Sequence, residues 1–193
     1  MDDFRNLSSE QNAALVIFTF LQADCINTEY CKELISLGKE YDPNCNGPRI
    51  DTLDDGDLET DGHLPTSLTI ALDGVLPSVQ LHRNPEEEAA LQRVAEELRE
   101  IAAQLEENVV AQATQNLRRN ILITPCNHWR YYLNREVERV MSWVVGLEHL
   151  PYERVIVALT LTLVKGVCEQ TPQLLKNLFY TALQYITSSS RAR

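Results

Sequence analysis

The sequence predicts an all-α fold: a helical bundle around a central hydrophobic helical hairpin, with a long flexible loop in its first half. Three observations carry this. Leu91, Val94, Leu98, Ile101 and Leu105 step by 3, 4, 3 and 4 residues, which puts all five on one face of a helix. Residues 152–169 are apolar on nearly all sides. After Thr171-Pro172 a second apolar helix follows with Leu174, Leu175, Leu178, Phe179, Leu183 and Ile186, so the pair forms a hairpin at the centre of the fold. Strand-type alternation is weak throughout, and no repeat of 20–50 residues is present.

Taken in order, Ser8-Ser9-Glu10-Gln11 starts a first helix, with a serine to cap its free amides. The run Leu15 to Leu21 is rich in β-branched and aromatic residues and, alone, would suit a buried strand. The absence of a hairpin partner and the helical neighbours favour a helix. Asn27-Thr28-Glu29 starts a second, short helix with Tyr30, Cys31, Leu34 and Leu37 on one face and Gly38 as its stop. Residues 39–84 hold eight Pro and Gly residues and a dense acidic stretch from Asp51 to Asp61, and read as a flexible loop. Asn84-Pro85-Glu86-Glu87-Glu88 restarts the helix: a cap, a proline at the first helical position and three acids against the positive end of the dipole. Glu96, Glu97, Glu100 and Glu107 lie opposite the apolar stripe. Helices are then expected over about 110–122, broken near Pro125, and about 128–148, with Val137, Val140, Met141, Val144 and Leu147 inward. Pro151 separates the latter from the central hairpin, and the tail Ser188 to Arg193 reads as frayed.

Composition narrows the function classes. A net charge of −11 and a pI near 4.8 make the chain a poor general binder of nucleic acid. The charge is uneven: residues 1–61 carry −10 and residues 62–193 carry −1. Five cysteines (25, 31, 45, 126 and 168) show no Cys-x-x-Cys spacing, so neither a disulfide framework nor a zinc ribbon is expected, and a reduced compartment such as the cytoplasm is the simpler home. His63, His82, His128 and His149 lack metal-ligand spacing. With no Gly-rich phosphate loop and no nucleophile elbow, an enzyme is not expected, and neither is a metal or other cofactor. Cys126 and His128 are close in sequence, whereas a catalytic pair is usually assembled from distant segments. No stretch reaches the roughly 18 apolar residues of a membrane-crossing helix, and no hydrophobic leader follows Met1.

The loop holds a sharper signal, Leu58-Glu59-Thr60-Asp61-Gly62. An extended segment can enter a protease cleft as a strand. Asp55-Gly56 and Asp73-Gly74 share the bare dipeptide, but Leu-Glu-Thr-Asp is the preference of initiator caspases of the caspase-8 type. Cleavage after Asp61 would expose Gly62-His63-Leu64-Pro65-Thr66, which fits the Gly-x-x-x-Ser/Thr pattern for N-myristoylation. The stripe from Leu91 to Leu105 serves equally as a core face or as a ligand helix for a partner's groove, and periodicity alone leaves both open.

In this combination the chain resembles the Bcl-2 family, in its Bcl-2-homology-3-only class. The resemblance rests on Leu15 to Gln22, Lys32 to Gly38, the cleavage loop at 58–62, Val155 to Lys165, and Thr171 to Leu175 with Phe179, in that order. It implies a Bcl-2-like bundle forming one helical domain over 1–193, with 39–84 as a regulatory loop. The Bcl-2-homology-3 motif falls on Leu98-Arg99-Glu100-Ile101-Ala102-Ala103, with Val94, Leu98, Ile101 and Leu105 as groove anchors. Ala102 stands where the motif has a small glycine. Ala103 stands where it has an aspartate, which removes a carboxylate that would pair with a partner's arginine.

The resemblance further implies a latent pro-apoptotic regulator in the cytoplasm. Caspase-8 cuts it into 1–61 and 62–193. The second fragment moves to outer mitochondrial membrane lipids, engages Bax, Bak and anti-apoptotic relatives, and promotes cytochrome c release. Val155, Ile156, Leu159, Leu163, Leu174, Leu178 and Phe179 would be its membrane hairpin, inserted or lying in the interface, with Lys165 and Glu169 suiting the latter. Two alternatives stay open from the residues alone: a toxin-like helical pore-former and a non-enzymatic adaptor bundle.

Overall fold

The structure is a computed structural model that describes residues 9–23, 25–41 and 85–191. The chain divides into two compact units, Met1–Leu34 with Asn84–Arg193, and Ile35–Arg83. The described part of the second is the end of one helix, residues 35–41. Among the described residues there are seven α-helices and no strand. They are α1 (Glu10–Gln22), α2 (Thr28–Tyr41), α3 (Pro85–Gln104), α4 (Glu107–Ile123), α5 (Trp129–Trp143), α6 (Tyr152–Gln170) and α7 (Leu175–Arg191). Single 3₁₀ turns at Cys126–His128 and Pro172–Leu174 precede α5 and α7.

The centre of the larger unit is α6, which packs against α1, α3, α4, α5 and α7. Its core positions Val155, Leu159, Leu161, Leu163, Val164 and Val167 are all buried. Two threonines fit this apolar setting because each hydroxyl donates to the carbonyl one turn back, Thr160 to Ile156 (2.7 Å) and Thr162 to Ala158 (2.6 Å). The second half of the expected hairpin, α7, buries Leu178, Phe179, Leu183 and Ile186 but keeps Lys176, Asn177 and Tyr180 in water. Of the two hairpin helices, α6 is therefore the more enclosed, with its exposed residues confined to its ends.

The first helix resolves the strand ambiguity. Ala13, Ala14, Val16, Ile17, Phe18, Phe20 and Leu21 are buried on an α-helix that packs on α3, α6 and α7. Contact on several sides outweighs the modest helix penalty of its β-branched residues. Ser9 is the N-cap residue, yet its side chain makes no capping hydrogen bond.

Four boundaries differ from expectation. Gly38 does not end α2, which runs through it to Tyr41, so Lys39–Tyr41 are helical rather than loop; a helical glycine costs only about 1 kcal/mol. The fourth helix begins at Glu107 rather than 110. The fifth ends at Trp143 rather than 148, because Val144 turns to extended backbone and Gly146 takes a positive φ of 93°. Leu147 is nevertheless buried, from the turn. The tail is helical to Arg191, with Ser188 and Ser189 donating to the carbonyls of Gln184 and Tyr185. The Asn84 cap, Ser8, Cys45 and residues 42–84 lie outside the described residues.

The cysteine expectation is corrected. Cys25 and Cys31 form a disulfide across the α1–α2 connection. Their five-residue spacing carries no local motif; the turn between the two helices brings them together.

Candidate functional site

The candidate site is the apolar face of α3. The 3-4 spacing does what helical geometry demands: Leu91, Val94, Leu98 and Ile101 are 4%, 3%, 0% and 2% exposed. Leu105 lies one residue past the last helical turn, its amide bonded to the Ala102 carbonyl at 3.2 Å, and is also buried. The helices that pack on α3 are α1 and α6. On the outward side Glu96, Arg99, Glu100 and Ala103 are exposed, while Ala102 and Glu97 are half-buried. Glu97 pairs with Arg154 in the first turn of α6. Leu105 also borders an open cavity of about 150 Å³, lined by Val109, Val140, Trp143 and Leu147.

Magnitudes show what this burial means. Five buried aliphatic side chains are worth about 8–15 kcal/mol of gross transfer free energy, as much as the whole net stability of a typical domain. The face cannot turn to water while the rest of the fold persists. It becomes available only if α1 or α6 withdraws and another apolar surface replaces it.

Polar groups hold α1 over that face. Its last turn contains no basic residue, and its terminal carbonyls find their partners elsewhere. The Tyr30 hydroxyl donates to the Leu21 carbonyl at 2.8 Å, and the Lys165 ammonium donates to the Ala23 carbonyl at 2.7 Å. Burial pushes the Tyr30 phenol well above its ordinary pKa, so it remains a donor. Asn27 works at both ends: its Oδ1 accepts from the amides of Glu29 (3.0 Å) and Tyr30 (3.4 Å), and its Nδ2 donates to the Glu169 carbonyl at 2.9 Å. Asn27 thus caps α2, at the helix start read from Asn27-Thr28-Glu29. The reach of Asn27 and Lys165 between α6 and the end of α1 was invisible in the sequence, because the partners are 142 residues apart.

The residues expected to form a membrane hairpin are, in this fold, core. Val155, Leu159, Leu163, Leu178 and Phe179 are buried, and Ile156 and Leu174 are half-buried. Among the described residues no helix is long and apolar enough to cross a membrane. In this fold Lys165 caps α1. Leu58, Glu59, Thr60, Asp61 and Gly62 lie outside the described residues. Cys126 and His128 sit in an exposed 3₁₀ turn. No group of three or more His, Cys, Asp or Glu among the described residues is arranged to hold a metal ion.

A curated chicken protein, the BH3-interacting domain death agonist of Gallus gallus, is 28% identical over 195 aligned positions, covering 96% of this chain and 92% of that protein. No solved structure matches significantly. The family model described as BH3 interacting domain (BID) matches residues 3–191, and on that near-complete match the chain belongs to this family.

Proposed function

We propose that the protein is a latent pro-apoptotic regulator whose Bcl-2-homology-3 face, Val94, Leu98, Ile101 and Leu105, is stored in its own core. The observation that carries this reading is the near-complete burial of that face in a chain of this family. An initiator caspase of the caspase-8 type cuts after Asp61. Residues 1–61 include α1 and carry −10, so their departure uncovers α3 and leaves a fragment of charge −1 that anionic lipid repels far less. Fragment 62–193 then moves from the cytoplasm to the outer mitochondrial membrane. There it presents α3 to Bax, Bak or anti-apoptotic Bcl-2 proteins and promotes cytochrome c release. A myristoyl group on the new Gly62 would add a marginal anchor that requires a second membrane contact. In this protein's motif Arg99 and Ala103 face outward, and Ala103 offers no carboxylate to a groove arginine.

The test is caspase-8 digestion of the full chain followed by mitochondrial binding of its products. Fragment 62–193 is expected on the membrane and the intact chain in solution. Asp61→Glu should block the cut and the relocation together; unchanged relocation and cytochrome c release by that variant would refute the switch. A peptide of residues 85–110 should bind an isolated Bcl-2-family groove, and Leu98→Ala should weaken that binding by about 2–4 kcal/mol. Undiminished binding would place the interaction elsewhere on the chain.

A further inference from the structure

The polar ties that hold the end of α1 cluster around one short covalent ring. Cys25 and Cys31 close it. Asn27 and Tyr30 lie inside it, and Ala23 stands two residues before it. The carbonyls of Leu21 and Ala23, the Glu169 carbonyl and the first amides of α2 are all bonded by, or next to, this ring. Both cysteines are half-buried, and Ile26 between them is 92% exposed, so the ring lies at the surface. The two other described cysteines differ. Cys168 is enclosed in α6, and Cys126 is exposed in the 3₁₀ turn before α5.

We propose that the Cys25–Cys31 disulfide is a redox-sensitive clasp that sets how readily α1 leaves the buried face of α3. With the bond closed, the residues between the cysteines have few conformations, and Asn27 and Tyr30 stay aimed at the Glu169 and Leu21 carbonyls. With it open, any excursion of α1 frees a longer, looser segment, so detachment gains entropy. The chemistry is thiol–disulfide exchange with a dithiol reductant of the thioredoxin type. A thiolate of the reductant attacks one sulfur, forms a mixed disulfide and expels the other cysteine as a thiolate. The reductant's second thiolate then displaces the first cysteine. Two electrons pass to the protein, both cysteines end as thiols after taking up two protons, and the reductant ends as its own disulfide. In a compartment that keeps thiols reduced, such a bond is labile, as sensing disulfides are. The proposal rests on the masked-face reading only for its consequence, which is that reduction primes uncovering.

Hydrogen exchange on the full chain tests it, with the disulfide intact, after reduction by dithiothreitol, and in a Cys25→Ser/Cys31→Ser double variant. Under conditions where exchange reports opening equilibria, amides of α1 should exchange about tenfold or more faster after reduction. Those of α6 and α7 should change far less. The double variant should match the reduced protein and be insensitive to dithiothreitol. Equal α1 protection in all three samples would overturn the proposal, as would uniform acceleration through α6 and α7 or a non-reduced mass showing both thiols free. The 85–110 peptide contains neither cysteine, so its groove binding reports separately on the proposed function.

Discussion

Lys165 of α6 places its ammonium 2.7 Å from the carbonyl of Ala23, the residue that terminates α1. A helix end is negative, and α1 supplies no cation of its own in its last turn. The charge comes instead from the central helix, which links the cover of the α3 face to the core of the fold. Lys165→Met keeps the aliphatic stem but removes the donor. It should destabilise the fold by about 1–2 kcal/mol, with the loss concentrated in exchange protection of α1. Denaturant unfolding and amide exchange measure the two parts.

Leu98 is fully enclosed. In the intact protein Leu98→Ala should cost about 3–5 kcal/mol of stability, combining lost transfer free energy with the cavity left behind. The same substitution in the isolated motif peptide has no fold to destabilise and affects only groove binding. Urea unfolding of the full chain should therefore show a large loss even when the peptide experiment is set aside.

Gly166 is where α4 and α6 approach closely: a Cβ there would lie 2.8 Å from Thr114 Cγ2 and 3.2 Å from its Oγ1. Thr114 cannot swing aside freely, since its hydroxyl donates to the Val110 carbonyl at 2.8 Å. Gly166→Ala should destabilise by about 1–2 kcal/mol, overpacking outweighing the gain in helix propensity. Thr114→Ser removes the obstructing methyl and should recover most of that loss in the double variant. Thermal or urea unfolding of the four-protein cycle decides it.

Glu136 on α5 is 4% exposed, and its Oε2 has no hydrogen-bond partner among the described residues. Burial raises its pKa, against the partial compensation of Arg139 (3.7 Å from that oxygen), Arg135 and a hydrogen bond from Asn116. A carboxyl whose folded pKa lies above its unfolded value favours the folded state when protonated, and this contribution is lost as pH rises through the unfolded and then the folded pKa. Glu136→Gln should thus be more stable than the parent at pH 7, with the difference shrinking as pH falls through the raised folded pKa towards the ordinary glutamate value and levelling off below it. Unfolding curves from pH 3.5 to 7.5 measure it; a difference that does not vary with pH would contradict the assignment.

Much of the fold was legible because its signals are local. The 3-4 spacing at 91–105, the helix start at Asn27-Thr28-Glu29, and Pro151 and Thr171-Pro172 as breaks all appear in the structure where they were read. The errors also have local causes. Gly38 reads as a stop, but α2 carries on through it, and continuous apolar spacing through Leu147 concealed the turn at Gly146. Periodicity made the candidate face legible as a stripe, and its burial comes from α1 and α6, which pack on it.

By itself the sequence determined the helical class, the order of the elements and which side chains share the α3 face, since helix periodicity and breakers act over a few residues. Only the tertiary structure decided that α1 and α6 pack on that face and that α7, unlike α6, keeps a side in water. Those outcomes depend on contacts between segments as much as 142 residues apart. No local pattern encodes such pairings, because burial is a property of what two surfaces exclude together.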